Sequence, residues 1–230
     1  MTEWTQSNGD QCNSGLRRDL EGPTRVTDAW TADLTGAPGS PVCDRDTVYV
    51  GTARGTWYAL EAATGRQRWV VETTAATDAT PVVTRDRLYV GAGDGTIHAL
   101  EPATGEVAWE AALPGDLASD LTLSNGRLYA GHATGLSAFD AETGAVVWTH
   151  ETESAVAGTP AVADGREIDR SRATRSPLSE PAETGLLEAD RLSEPGQRWI
   201  DERVFAGTAD GTVVALAAET GEVVWTAPTG

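Results

Sequence analysis

Few side chains in this sequence have the type and spacing that chemistry needs. Its three histidines, His98, His132 and His150, follow no metal-ligand spacing. His98 is interior to an apolar run and His132 follows a Gly, and all three read as ordinary surface or half-buried residues of a scaffold. Ser14, Ser119 and Ser137 lack the Gly-x-Ser-x-Gly context that exposes a nucleophile on a sharp turn. Asp94 and Asp210 would place carboxylates on one face, but each precedes a Gly, and Asp-Gly between two apolar runs is a hairpin signal in which both positions are expected at positive φ. Cys12 and Cys43 match no metal pattern and pair only if the fold brings them within disulfide reach; they read as incidental thiols. No catalytic group and no metal site is therefore assigned.

The elements that would carry these residues are written as a repeat. An eleven-residue unit occurs four times, from Ala59 to Trp69, Ala99 to Trp109, Ala138 to Trp148 and Ala215 to Trp225. Each copy closes one strand, passes through a Thr-Gly turn at Gly65, Gly105, Gly144 or Gly221, and reaches a Trp four residues later. Trp69 to Trp109 is 40 residues, Trp109 to Trp148 is 39, and Trp148 to Trp225 is 77, close to two periods. Tyr49, Tyr89, Tyr129 and Phe205 recur at intervals of 40, 40 and 76, each two residues before a Gly, and read as interblade core. A period near 40 with four short strands per unit predicts an all-β protein, a β-propeller of four-stranded antiparallel blades.

The pattern Ala-x-Asp-x-x-Thr-Gly-x-x-x-Trp resembles the PQQ-like repeat, the tryptophan-docking motif of pyrroloquinoline-quinone dehydrogenases and of many non-enzymatic propellers. Asp140 completes it; Glu61, Glu101 and Ala217 stand at that position in the other copies. The resemblance implies that Trp69, Trp109, Trp148 and Trp225 are buried between blades, each against a neighbouring motif. Residues Trp4 to Gly15 also resemble the lead-in before the first blade of archaeal and bacterial members. An enzyme of this family would need PQQ on the ring axis, a calcium ion held by oxygen ligands and a vicinal cysteine pair. Adjacent cysteines are absent here, so PQQ and calcium have no support in the sequence, and cofactor-binding residues are unassigned. The resemblance favours a non-catalytic scaffold for a protein or peptide partner, similar to assembly-factor lipoproteins; a quinoprotein oxidoreductase fragment is the alternative.

Charge bounds the partners. The formal net charge is −18, with 35 acidic against 17 basic residues, and every basic residue is Arg. Phosphate backbones would be repelled, which argues against nucleic acid. Acids scattered through every module, with Lys absent, point to adaptation to concentrated salt, as in a haloarchaeal source. No apolar run reaches the length of a spanning helix, and the first residues lack a basic and an apolar leader region, so the sequence as written reads as unexported, although the resembled family is often exported.

Along the chain, residues 1–25 read as a lead-in arm and 26–230 as the repeat domain, with modules at about 40–73, 80–113, 120–152 and 158–230. Val26 to Leu34 contains Trp30, 39 residues before Trp69, which is the spacing of an orphan outer strand that would close a ring by joining the last blade. From Arg166 to Arg198 the pattern fails: six Arg and three Pro stand with no aromatic residue. Such a composition predicts the lowest order in the protein. A decayed fourth blade, an insertion between the first two strands of one blade, and a corrupted coding stretch all fit; the near-period length and Ala182 to Ala189, at a turn-and-strand position, favour the decayed blade. The blade count is four or five.

Overall fold

The computed structural model describes residues 4–16, 27–73, 75–77, 79–163 and 202–229. Sixteen strands form four antiparallel sheets of four, each in simple up-and-down order, arranged as the blades of an open propeller. Blade 1 comprises β1 (Val42–Asp44), β2 (Thr47–Gly51), β3 (Thr56–Glu61) and β4 (Gln67–Glu72). Blade 2 comprises β5 (Val82–Val83), β6 (Leu88–Gly91), β7 (Thr96–Leu100) and β8 (Val107–Ala112). Blade 3 follows with β9 (Leu117–Ser124), β10 (Arg127–His132), β11 (Gly135–Asp140) and β12 (Val146–Glu151), and blade 4 with β13 (Ala161–Ala163), β14 (Arg203–Gly207), β15 (Thr212–Ala217) and β16 (Val223–Pro228).

Alternation along the two middle strands explains where the core lies. The sheets are buried on both faces, so the core is a series of layers between blades: Tyr49, Trp57, Val83 and Val90 join blades 1 and 2, Tyr89, Ile97, Leu121 and Phe139 join blades 2 and 3, and Tyr129, Leu136, Val162 and Val204 join blades 3 and 4. Every outer strand contains the same irregularity. The ladder runs from Ala138 opposite Trp148 to Phe139 opposite Val146, skipping Val147, and the other three blades slip at the equivalent place. This one-residue bulge turns the Trp inward while leaving the two residues before it outside, a break in alternation that periodicity had not announced.

Two expectations are corrected here. Ala161 pairs with Phe205 and Val162 with Val204, so β13 and β14 are neighbours in one sheet and residues 164–202 are inserted between the first two strands of blade 4. The count among the described residues is four, and the decayed-blade reading gives way to the insertion, because β13 and β14 pair directly across the segment; Arg166 to Arg198 itself lies outside the described residues. The Asp-Gly turns also differ. Asp94 and Asp210 do not take positive φ; only Gly95 and Gly211 do. Gly95 N–H donates to Ala92 and Ala92 N–H to Thr96, giving a three-residue loop with the Gly alone left-handed. The two-residue turn with both residues at positive φ is Asn125-Gly126, at 45° and 75°, between β9 and β10.

Candidate functional site

The repeated turn is built the same way in all four blades. Gly65, Gly105, Gly144 and Gly221 have φ of 72°, 78°, 74° and 72°, and each donates its N–H over 2.8 Å to the carbonyl four residues earlier. In blade 3 the Asp140 carboxylate also accepts from the Thr143 N–H and hydroxyl, both at 2.8 Å, and these bonds hold its pKa below the usual carboxylate value. A flat glycine face results, and a Trp from the preceding element lies on it. A Cβ on Gly144 would sit 2.6 Å from the Trp109 ring, and one on Gly221 2.6 Å from Trp148. The indoles of Trp69, Trp109 and Trp148 donate to the carbonyls of Pro102, Ala141 and Ala218 at 2.9, 3.2 and 3.0 Å. On its other side each meets the aromatic residue of its own blade, with ring centroids 6.0 Å apart for Tyr49–Trp69 and Tyr129–Trp148. Burial pushes the Tyr49 hydroxyl up to about 12 and raises Tyr129 as well.

The two ends of the array depart from this rule. Trp30 lies on Gly65 and donates to Ala62 over 2.9 Å, so the orphan segment docks on blade 1 in the manner of an outer strand instead of joining blade 4. Trp225 meets Phe205 at 5.9 Å but no following turn among the described residues, and it is 40% exposed. The expectation that it is buried like its counterparts is therefore corrected: the next blade that would cover it is missing from the described array.

At the inner edge the lead-in arm does something its composition did not reveal. Cys43, Val83, Leu123 and Val162 stand at equivalent places on β1, β5, β9 and β13, and each makes a hydrogen bond with the arm. Cys43 exchanges two backbone bonds with Trp4; the N–H groups of Val83, Leu123 and Val162 donate to the Thr5 carbonyl, Gln6 Oε1 and the Gln11 carbonyl. Ser7 donates to Asp120 over 2.9 Å, the Cys12 thiol to Val162, and the Asn13 amide to Thr159 and Pro160. Trp4 to Asn13 thus crosses the inner strands of all four blades and occupies the face on which axial ligands of a propeller would rest. Asp120 is committed to this structure, since its other oxygen accepts from Thr80 N–H at 2.8 Å.

Of the residues singled out for chemistry, only His132 and Ser137 are brought into direct contact among the described residues. His132 is fully buried, with Nδ1 against Thr134 and Nε2 against the Ser137 hydroxyl, both at 3.0 Å, and burial lowers its pKa. Ser137 continues to Thr149 at 2.9 Å, forming a closed internal chain. His98 faces Glu110 across β7 and β8 at 3.2 Å. Ser14 is exposed in the arm, and Ser119 Oγ donates to the Asp120 carbonyl. No group of three or more His, Cys, Asp or Glu that could hold a metal ion occurs among the described residues. Nor is any described helix long and apolar enough to cross a membrane.

The outer edge carries the exposed apolar surface. Val107, Val146 and Val223 are 49, 57 and 50% exposed, and Val147 and Val224 stand out beside the last two, all placed by the bulge before the Trp; Val70, just after Trp69, is exposed on β4.

A family model described as outer membrane protein assembly factor BamB matches residues 22–114 and 93–230. No curated protein matches the sequence. Among solved structures, BamB from Moraxella catarrhalis is 25% identical, with 86% of this chain and 64% of that one covered at a TM-score of 0.53. The computationally designed Ika8 protein is 18% identical over 83% of this chain and 48% of its own, with a TM-score of 0.59, so this chain spans about half its length. Quinohemoprotein alcohol dehydrogenase from Comamonas testosteroni is 16% identical over 98% of this chain and 41% of its own, with a TM-score of 0.68. The last two show likeness of fold alone.

Proposed function

Because the chain belongs to the PQQ-like repeat family whose model is described as outer membrane protein assembly factor BamB, we propose that it is a non-catalytic scaffold binding a protein or peptide partner along its outer rim. The observation that carries this reading is the row of exposed valines on β4, β8, β12 and β16, in a protein whose other surface is strongly acidic. Strand edges flanked by apolar side chains invite an added strand or an apolar partner surface. The inner face is less available, because the arm from Trp4 to Asn13 already bonds to it. Acidity without Lys fits a protein that works in concentrated salt, where this rim would remain its least hydrated surface.

A photo-cross-linking residue placed at Val147 or Val224 should capture a discrete polypeptide in cells, while one at Thr134 should not. Equal capture at all three positions, or none at any, removes the rim from consideration. The quinoprotein alternative has its own test: PQQ and calcium added to the folded protein in molar salt should leave the quinone absorbance unchanged. A saturable spectral change would replace the scaffold reading with an oxidoreductase one.

A further inference from the structure

A cleft lies between blades 1 and 2. Its volume is about 370 Å³, within the range of small-molecule sites. The floor is apolar and buried, formed by Trp57, Val90, Ala92 and Leu100, all at most 1% exposed. The mouth carries the exposed carboxylates of Glu72, Asp94 and Glu110, with His98 tied to Glu110, and no Arg lines it. Trp57 contributes more than surface: its buried indole N–H has no acceptor, and an unpaired buried donor is costly to keep in a fold. The other repeats place Ile97, Leu136 and Val213 at this position, so the donor is an addition to the scaffold.

Comparison between blades shows why the space exists. Ala92 follows Gly91 as His132 follows Gly131, and in blade 3 the His132 ring is buried against Ser137 and Thr134, filling the corresponding place. A small side chain at Ala92 leaves that volume open in blade 2.

We propose that the cleft between blades 1 and 2 binds a small organic cation with an apolar body and an oxygen at its far end, of the hydroxyaryl-alkylammonium class. The ammonium is neutralised by carboxylates at the mouth, the body covers the floor, and the oxygen accepts from Trp57. The cleft opens beside the rim and shares Val107 with it, but the assignment does not depend on the scaffold reading.

Calorimetric titration of the whole protein at one fixed ionic strength tests the assignment with tyramine, phenethylamine and 3-(4-hydroxyphenyl)propionate as probes. Tyramine should bind saturably, phenethylamine about tenfold more weakly for want of the oxygen, and the anion not at all. Ala92→His should abolish tyramine binding by filling the floor of the cleft beside His98, and a cooperative melt of the variant shows that the loss is local. Glu110→Gln, at an exposed position that folding does not need, should weaken tyramine about tenfold through the lost charge. No saturable binding by tyramine, equal binding of the anion, or undiminished binding by both variants overturns the proposal.

Discussion

At the scale of single residues, the same side chain has different worth according to what lies on its far side. Trp148 is 8% exposed, donates to Ala218 and covers Gly221. Trp148→Ala should cost about 3–5 kcal/mol, from lost transfer energy and the cavity left behind. Trp225→Ala removes an indole that is 40% exposed with only Phe205 against it, and should cost less than about half as much. Urea denaturation of the two variants checks the contrast, and equal losses would mean that Trp225 has a covering blade after all. His132 supplies a pH effect whose sign follows from its burial. Its pKa is lowered in the folded protein, so the unfolded chain takes up the extra proton; the stability is present above the unfolded value of about 6.5 and is lost as pH falls below it. Between pH 7 and 5 the melting temperature should fall less in His132→Gln than in the parent. Carboxylates such as Asp140, with lowered pKa values, enter only below about pH 4.

At the scale of elements, the inserted segment offers the sharpest test. Ala163 pairs with Arg203 in blade 4 just as Ser124 pairs with Arg127 in blade 3, where Asn125-Gly126 makes the connection. The Glu202 carbonyl accepts from Ala218 as the Gly126 carbonyl accepts from Ala141. Replacing residues 164–202 with Asn-Gly should therefore keep blade 4 folded. It removes the bonds from Ser124 and Asn125 to the Glu202 carboxylate, but shortens the closed loop more than tenfold, which favours folding by about 2 kcal/mol. A melting temperature equal to or above the parent's is expected, and loss of cooperative unfolding would show that the segment is part of the blade. The four Thr-Gly turns and both Asp-Gly positions were legible beforehand because turn chemistry is local. The backbone of the Asp-Gly loops was not, since Asp tolerates either sign of φ and the strands on each side decide which loop length fits.

At the scale of the molecule, a net charge of −18 acts against compaction when screening is weak. The Debye length falls from about 10 Å at 0.1 M to about 3 Å at 1 M salt, so the melting temperature should rise between dilute buffer and molar KCl; a flat response would refute adaptation to concentrated salt. By itself the sequence determined the all-β class, the period, the Trp and Gly positions and the interblade aromatic residues, because each rests on spacing and turn chemistry within one repeat. Only the tertiary structure decided that Trp30 docks on blade 1, that the arm from Trp4 to Asn13 bridges four inner strands, that β13 and β14 are neighbours, and that Trp225 is left exposed. Those outcomes join residues as far apart as Gln11 and Val162, and depend on how the blades stack in space. Local pattern carries no record of which distant edge a polar arm will meet, and the exposed valines become a rim only after a bulge, set by pairing with the neighbouring strand, has turned each Trp toward the next blade.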